Sequence, residues 1–335
     1  TRMFDVKTRP RRRLRATELA ALACRTLAYV LTALVVAIVL TSFLVTVSFR
    51  VHTAGAVVVT GASSGIGEDA AAALAAATSF TVYAGVRKQG DADRLEAAYP
   101  GLRTVFIDVT DAESVAAAVR HVVSQDPELP LVALVNNAGV QSDLPVELQT
   151  SAADRFNFDV NVLGLLATTR AFLPHLRRTG DGARIVNVGS LAGLVASAGS
   201  ASYSATKFAV EGITDSLRRE VQPFGISVSV LEPGYVRSSM GAKLHNRRSS
   251  LYGVSVASYE LYRPVFDGFF EEDRLNSLPE NAAPAATTTS AAILDAITSP
   301  TPRTRYPCAS AGGLPASFVA LANRLLPDRV MDLLA

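Results

Sequence analysis

Three residues near the middle of the chain, Ser190, Tyr203 and Lys207, bring a hydroxyl, a phenol and an ammonium group into one short stretch. Tyr and Lys four positions apart lie on one face of a helix, one turn from each other. An ammonium group near a phenol favours the phenolate, which predicts a pKa for Tyr203 below that of a free tyrosine. A serine hydroxyl beside the phenol can polarise a carbonyl oxygen. The stretch predicts acid–base chemistry on a carbonyl or alcohol, although an ordinary amphipathic helix could also carry this pair.

A glycine-rich turn lies upstream, between the apolar run Ala56–Val59 and a helix-forming, alanine-rich segment. Strand, glycine-rich turn and helix in this order are typical of a dinucleotide-binding unit. Gly61 allows the tight turn, Gly65 lets the backbone approach a pyrophosphate, and Gly67 allows close helix packing. The helix N-terminus then faces the phosphate charge. The turn reads Thr60-Gly61-Ala62-Ser63-Ser64-Gly65-Ile66-Gly67.

The second predicted strand, Thr81–Val86, ends in Arg87 and Lys88. A dinucleotide fold selective for NAD commonly places an acidic residue here, against the ribose 2′-hydroxyl, whereas cations suit a 2′-phosphate. The alternative is that Arg87 is merely a solvated side chain. The sequence predicts a preference for NADP(H), with NAD(H) as the second choice.

Two further strands end in polar residues. Val105–Val109 carries Asp108 near its carboxyl end, and Leu131–Val135 is followed by the turn Asn136-Asn137-Ala138-Gly139. Ligands of parallel sheets bind beyond the carboxyl ends of the strands. We therefore expect Asp108 and this turn to lie near the cofactor.

The glycine-rich turn, the Asn-Asn-Ala-Gly turn, Asn161, Ser190 and the pair Tyr203 and Lys207 follow one another in this order. Together they resemble the motifs of the short-chain dehydrogenase/reductases, and the resemblance covers roughly residues 56–239. The resemblance implies that Tyr203 is the acid/base and that Lys207 lowers its pKa while holding the nicotinamide ribose. It implies that Ser190 positions the substrate carbonyl. Asn161 would retain a water that relays protons to Lys207.

The same resemblance implies the cofactor contacts. Asp108 would contact the adenine, and Asn136 would support the ribose side of the cofactor. The turn Pro233-Gly234, after the strand Ser227–Leu231, would lie beside the nicotinamide, and Ser238 would bond the nicotinamide amide. The predicted cofactor-binding residues are Gly61, Ser63, Ser64, Gly65, Ile66, Gly67, Arg87, Lys88, Asp108, Val109, Asn136, Ala138, Gly139, Tyr203, Lys207, Pro233, Gly234, Val236 and Ser238.

The predicted fold is α/β: a single Rossmann-type doubly wound parallel sheet with an N-terminal transmembrane helix and a C-terminal helical extension. The C-terminal part begins with a small-residue linker, residues 281–289, and its last helical pattern would lie on the membrane, roof the substrate pocket or cap the domain. The predicted segments are a basic segment (1–25), a transmembrane helix (26–49), a catalytic domain (54–280), and a linker with a C-terminal helical extension (281–335).

Residues 26–49 contain no charged side chain, and the preceding 25 residues carry eight Lys/Arg against two acidic residues. A helix of this length spans a bilayer. The positive-inside rule predicts that the basic residues lie on the cytoplasmic, matrix or stromal side, with the large domain across the membrane. The chain has no Asn-x-Ser/Thr sequon, which argues against an ER lumenal domain. We expect a single-pass anchor in the ER or an organellar membrane, with its sidedness open. A targeting peptide or a buried helix are the alternatives.

Charge and composition exclude other classes of function. Outside residues 1–25, the 24 basic and 28 acidic residues give a net charge of −4, which does not favour nucleic acid. Two cysteines and four histidines without paired spacing predict neither a disulfide framework nor a metal site.

The sequence thus predicts a membrane-anchored, NADP(H)-preferring oxidoreductase. It would interconvert a lipophilic ketone or aldehyde (a retinoid, a steroid or a lipid-like molecule) and its alcohol. The alternative is an accessory or structural subunit of a membrane complex that binds the nucleotide with little turnover. Small residues after Phe208 suit either a homodimer contact or packing on the chain's own sheet.

Overall fold

The computed structural model describes residues 24–37, 47–236, 256–263, 285–311 and 314–326. The chain divides into two compact units, residues 1–47 and 48–335. In the first unit, residues 24–37 form helix α1, and all of them are exposed. Within the described ranges, no helix is both long enough and apolar enough to cross a bilayer. Residues 38–46 of the predicted transmembrane helix lie outside the described residues.

Seven parallel strands form one sheet in the second unit. Their order is β3-β2-β1-β4-β5-β6-β7, so the chain winds from β1 to one edge and then from β4 to the other. This confirms the predicted Rossmann-type doubly wound parallel sheet. The strands are β1 (Ala54–Val59), β2 (Ser79–Val86), β3 (Arg103–Phe106), β4 (Leu131–Asn136), β5 (Arg184–Val188), β6 (Ser227–Pro233) and β7 (Arg305–Cys308).

Helices cover both faces of this sheet. One π-helical turn, Asp159–Gly164, joins α5 to α6, and a 3₁₀ turn, Leu191–Gly193, follows β5. The helices of the second unit are α2 (Gly65–Ala77), α3 (Gln89–Ala98), α4 (Ala112–Gln125), α5 (Ser151–Phe158), α6 (Leu165–Thr179), α7 (Ala201–Val221), α8 (Val256–Leu261), α9 (Ala285–Thr298) and α10 (Ala316–Leu325).

The alternation of side chains along the central strands builds two apolar layers. Val57 and Val59 of β1 pack in the layer that contains Leu74 of α2 and Ile293 of α9. Val58 points to the opposite face, into the layer that also contains residues of α4, α6 and α7. Because both faces are covered, the central strands β1 and β4 are apolar at nearly every position, as buried parallel strands are expected to be.

The C-terminal part completes the sheet. Strand β7 pairs in parallel with β6, and α9 packs against α2. Residues 285–289, predicted to be part of a linker, form the first turn and more of α9 instead, and Thr289 and Ser290 are buried. Alanine favours helix, and burial of this face offsets the weaker propensity of threonine. Residues 281–284 lie outside the described residues.

The predicted transmembrane helix is wrong at its C-terminal end. Residues 47–50 are not helical, and the Phe49 N–H donates to Pro300 O over 2.8 Å. Arg184, buried under this segment, donates to the carbonyl oxygens of Arg50, Ile297 and Ser299 and stacks on the Phe49 ring. Packing on the sheet domain therefore holds Phe49 and Arg50 in a non-helical segment.

Candidate active site

The carboxyl ends of four neighbouring strands carry the predicted site residues. The glycine-rich turn follows β1, the Asn-Asn-Ala-Gly turn follows β4, Ser190 follows β5, and Pro233 ends β6. These strands are adjacent in the order β1-β4-β5-β6. The fold therefore gathers motifs that are far apart in sequence at a single edge of the sheet.

Ser190 begins the 3₁₀ turn after β5. Its Oγ accepts a hydrogen bond from the Ala192 N–H over 3.1 Å and donates to Pro233 O over 3.5 Å. The turn packs closely on α7, since a Cβ on Gly193 would lie 2.8 Å from Lys207 O. The serine hydroxyl is thus fixed between β6 and α7.

Tyr203 and Lys207 lie one turn apart in α7, and both side chains are buried. Tyr203 forms a side-chain hydrogen bond with Ser190. The Lys207 Nζ lies 5.6 Å from the centroid of the Tyr203 ring and donates to Val188 O over 2.9 Å. The structure therefore brings the hydroxyl, phenol and ammonium groups together as the sequence predicts.

The expected lowering of the Tyr203 pKa is wrong for the chain as described. Burial raises the pKa of Tyr203 to about 12, the hydrogen bond with Ser190 opposes that shift, and the negative charge of Asp143 adds to it. Burial also lowers the pKa of Lys207 to about 8, against the opposing effect of Glu211. Desolvation of the buried phenol is the largest of these causes, and the Lys207 Nζ is directed at a backbone carbonyl, Val188 O, rather than at the phenol oxygen.

Asn161 lies in the π-helical turn and is buried. Its Oδ1 accepts from the Val140 N–H, and its Nδ2 donates to Val140 O, both over 2.8 Å. A Cβ on Gly139 would lie 3.5 Å from Asn161 Oδ1 and 3.9 Å from Lys207 Nζ. Asn161 therefore holds the loop after β4 beside Lys207, and its role with a relay water stays a prediction.

The glycine-rich turn has the shape that a dinucleotide needs. Gly61 and Gly65 have φ values of +64° and +60°, which side-chain-bearing residues rarely adopt. A Cβ on Gly61 would lie 2.6 Å from Ala138 Cα, and one on Gly67 would lie 2.3 Å from Asn137 Nδ2. The backbone at the start of α2 therefore carries no side chain at Gly65 and Gly67, and the N-terminus of α2 suits a pyrophosphate. These residues fit a dinucleotide.

Arg87 and Asp108 face each other beyond β2 and β3. The Arg87 Nη1 lies 3.7 Å from Asp108 Oδ2, and 61% of the Arg87 side chain is exposed. Asp108 Oδ1 accepts from the N–H and hydroxyl of Thr110, and these bonds are the main reason that its pKa is lowered. The arginine remains accessible to an anion, with Lys88 exposed beside it.

Asn136 does not face the cofactor edge. It is buried, and its Nδ2 donates to Thr169 Oγ1 and to Asn187 Oδ1. Its neighbour Asn137, which lies in the predicted turn but is not among the predicted cofactor-binding residues, donates to the carbonyl oxygens of Thr60 and Gly61. The side chain that supports the cofactor turn is therefore Asn137.

The other predicted cofactor residues take different positions. Val109 is buried, and Gly164 of the π-helical turn is packed closely against it. The Gly234 N–H donates to Cys308 O, which joins the turn after β6 to β7. Ile66 packs on the apolar layer, and Ser63 O accepts from Arg94 of α3. Val236 is the last described residue of its segment, and Ser238 lies outside the described residues.

A buried charged cluster lies behind the site. Arg305 of β7 pairs with Glu211 and Asp215 of α7, over 2.8 Å to each, and lies 3.9 Å from Glu232 of β6. Burial and the charge of Glu232 raise the pKa of Glu211 to about 7. Glu211 is one turn after Lys207, on the same buried face of α7.

The sequence model of the family described as short chain dehydrogenase matches residues 55–249. Curated relatives include the mitochondrial D-beta-hydroxybutyrate dehydrogenase of Rattus norvegicus, 34% identical over 75% of this chain and 76% of that protein. The 17-beta-hydroxysteroid dehydrogenase type 6 of Homo sapiens is 32% identical, with 82% and 86% covered. Retinol dehydrogenase 16 of Rattus norvegicus is 31% identical, with 83% and 86% covered.

Solved structures with this fold include a short-chain dehydrogenase of Streptomyces avermitilis, at a TM-score of 0.64 and 31% identity, covering 84% of this chain and 95% of that one. A short chain dehydrogenase/reductase of Burkholderia phymatum in complex with NAD gives 0.66 at 22% identity, with 84% and 95% covered. Actinorhodin polyketide ketoreductase with NADPH gives 0.62 at 24% identity, with 76% and 96% covered. The last two similarities concern the fold alone.

Proposed function

The chain belongs to the short-chain dehydrogenase family, oxidoreductases that act on alcohol and carbonyl groups, and we propose that it interconverts a lipophilic ketone or aldehyde and its alcohol with NADP(H). The observation that carries the proposal is the hydrogen bond between Ser190 and Tyr203 beside the glycine-rich turn, with Lys207 one turn further along α7. A nicotinamide cofactor would supply or accept the hydride.

The residues of the chain would handle the oxygen and its proton. In reduction, the Ser190 hydroxyl donates to the carbonyl oxygen and Tyr203 protonates that oxygen as the carbon becomes an alcohol. The high pKa of Tyr203 keeps the phenol protonated at neutral pH, which is the form a proton donor needs. Lys207 would hold the cofactor ribose, and Asn161 fixes the adjoining loop through Val140.

The preference for NADP(H) rests on Arg87. The test measures, by nucleotide fluorescence, how tightly the full, detergent-purified chain binds NADPH and NADH. We expect tighter binding of NADPH, and Arg87→Ala should lower that preference about tenfold or more, because a charge-assisted contact to the 2′-phosphate is lost. Arg120→Ala, which removes an exposed arginine of α4, is the matched control. Equal binding of both nucleotides by the wild type would refute the preference.

The lipophilic substrate class is supported by two relatives, a hydroxysteroid dehydrogenase and a retinol dehydrogenase. Turnover is tested by following NADPH oxidation with a panel of ketones and aldehydes of rising hydrophobicity. Nucleotide binding without turnover of any carbonyl compound would favour the accessory-subunit alternative instead.

Membrane anchoring rests on the N-terminal part of the chain. Residues 26–46 contain no charge, and α1 exposes Leu, Val and Tyr side chains around its circumference. As a helix such a segment would be about 30 Å long, enough for a bilayer core. The full chain should resist extraction from membranes by alkaline carbonate and require detergent. Release by carbonate alone would refute the anchor.

A further inference from the structure

Asp143 places a carboxylate beside the acid/base residue. It lies in the loop after β4, only 8% of the residue is exposed, and its negative charge raises the pKa of Tyr203. The side chain of Ser200, which precedes α7, lies close enough to lower the pKa of Asp143, against the larger effect of burial. Its neighbour Ser142 accepts a hydrogen bond from Asn157, whose Nδ2 also donates to Ser202 Oγ, one residue before Tyr203. The loop that carries Asp143 is therefore held against the start of α7.

This carboxylate is only half satisfied. Its Oδ2 accepts a hydrogen bond from Gln141 Nε2, whereas its Oδ1 has no hydrogen-bond partner among the described residues. In that part of the chain, no lysine or arginine pairs with it either. Burial raises the pKa of Asp143 to about 6, so the group remains largely ionised at neutral pH. A buried acceptor without a donor is costly, and a donor from outside the chain would relieve that cost.

The surrounding side chains use their donors on each other. The Nε2 of Gln149 and the Nδ2 of Asn157 both donate to Ser142 Oγ over 2.8 Å, and Asn157 also donates to Ser202 Oγ. Their carbonyl oxygens, Gln149 Oε1 and Asn157 Oδ1, have no partner within the described part of the structure. The loop thus leaves three buried acceptor atoms unsatisfied around the start of α7.

We propose that Asp143 determines substrate specificity: its Oδ1 accepts a hydrogen bond from a hydroxyl or protonated amine that the substrate carries next to the reacting carbonyl. The same charge disfavours a substrate that carries a carboxylate there. The inference rests on the proposed function, because it assigns the substrate class of the same site. It narrows the proposed substrate class from lipophilic carbonyl compounds in general to those that bear a hydrogen-bond donor beside the reacting carbonyl.

A structural role of Asp143 makes a different prediction. A carboxylate near the N-terminus of α7 is also favoured by the helix dipole. In that case, removing the charge would lower stability and reduce turnover of all substrates by the same factor. A role in specificity changes the ratios between substrates.

The test uses four ketones that differ only in the group beside the carbonyl: propiophenone, α-hydroxyacetophenone, α-aminoacetophenone and benzoylformate. With the full chain and NADPH, we expect kcat/KM for the hydroxy and amino ketones to exceed that for propiophenone at least about tenfold, and benzoylformate to be the poorest. Asp143→Asn should abolish the advantage of the amine and relieve the penalty on benzoylformate. Asp143→Leu should also remove the advantage of the hydroxyl.

Asp126→Asn, which removes an exposed carboxylate after α4, should leave every ratio unchanged. Where turnover is slow, binding of the same compounds to the NADPH-loaded protein is scored by nucleotide fluorescence. Ratios that stay constant in both Asp143 variants would overturn the proposal, as would failure of all four compounds to bind the NADPH-loaded wild type. Failure of NADPH itself to bind would instead count against the proposed function.

Discussion

Tyr203 and Lys207 are both removed from water by the packing of α7 on the sheet, and burial shifts their pKa values in opposite directions. The phenol stays protonated well above neutral pH, and the ammonium loses its proton near pH 8. A protonated phenol suits reduction, because it can protonate the oxygen that receives the hydride's electrons. In alcohol oxidation the ionised form, the phenolate, accepts the proton of the alcohol instead, so that direction is expected to accelerate as the pH rises.

Replacing Tyr203 with Phe tests the acid/base role directly. The ring and its packing remain while the proton donor is lost, so kcat should fall at least about a thousandfold with NADPH binding within about twofold of the wild type. Steady-state kinetics and nucleotide titration give the two numbers. Tyr262→Phe, which removes a hydroxyl that donates to exposed Glu147, is the control. Substantial activity in the Tyr203 variant would remove that residue from the mechanism.

Glu211 links stability to pH. Its pKa is about 7 in the folded chain against an ordinary value of 4.5, so between these values the folded state binds more protons than the unfolded state. The free energy of unfolding should therefore increase as the pH is lowered from about 8 to about 5.5. Asp143, whose pKa is about 6, contributes with the same sign.

Thermal unfolding across this pH range measures the effect. Glu211→Gln should flatten the pH dependence without abolishing it, because Asp143 still titrates. Glu113→Gln removes an exposed carboxylate of α4 and should leave the wild-type slope intact. An unchanged slope in the Glu211 variant would contradict the assignment.

At this scale the sequence predicts residues whose role depends on spacing along the chain, such as Tyr203 and Lys207. It does not predict roles that depend on burial. Asp143 and Glu211 have no distinguishing neighbours in sequence, and their importance comes from what other elements pack around them. Asn136 and Asn137 show the same limit, since only the strand's register decides which of two adjacent amides turns inward.

At the scale of elements, the approach of α2 to the turn after β4 depends on Gly67. Gly67→Ala would put a methyl group 2.3 Å from Asn137 Nδ2 and 2.5 Å from Gly61 O. We expect a loss of about 1–3 kcal/mol in stability and weaker nucleotide binding. Denaturant titration and nucleotide titration measure the two effects.

Gly90 of α3 provides the matched comparison. A Cβ at that position would meet nothing within 4 Å, so Gly90→Ala should be neutral or stabilise the chain by up to about 1 kcal/mol. Similar losses in both variants would show that close packing at Gly67 is not the cause.

Strands with a strong apolar pattern could be predicted, because β1 and β4 are buried on both faces and read as nearly continuous apolar runs. The start of α9 could not. Its alanines and threonines suit a linker as well as a helix, and only contact with α2 and the sheet decides between them. The predicted anchor likewise extends too far. Phe49 is as apolar as the segment before it, but its ring stacks on Arg184 and its N–H donates to Pro300 O.

For the whole molecule, exposed apolar side chains on α7 and the adjoining turns predict a homodimer. Phe208 is 47% exposed, Leu163 and Phe158 are exposed nearby, and a Cβ on Gly212 would meet nothing within 4 Å. Phe208→Glu should convert the dimer to a monomer in light scattering of the detergent-solubilised chain. Phe106→Glu, at an exposed position on β3, should not. A wild-type monomer would contradict the prediction.

The hydrogen bonds of Arg184 also have a consequence for synthesis of the chain. One partner, Arg50, precedes it by 134 residues, and another, Ser299, follows it by 115. Ribosomes make the chain from its amino end, so Arg184 cannot form its hydrogen bond to Ser299 until residue 299 has been synthesised. Strand β6 likewise cannot pair with β7 until β7 has been synthesised. A message truncated before residue 299 would therefore yield an incomplete chain with an unsatisfied cation and an open strand edge, which chaperones and proteases recognise.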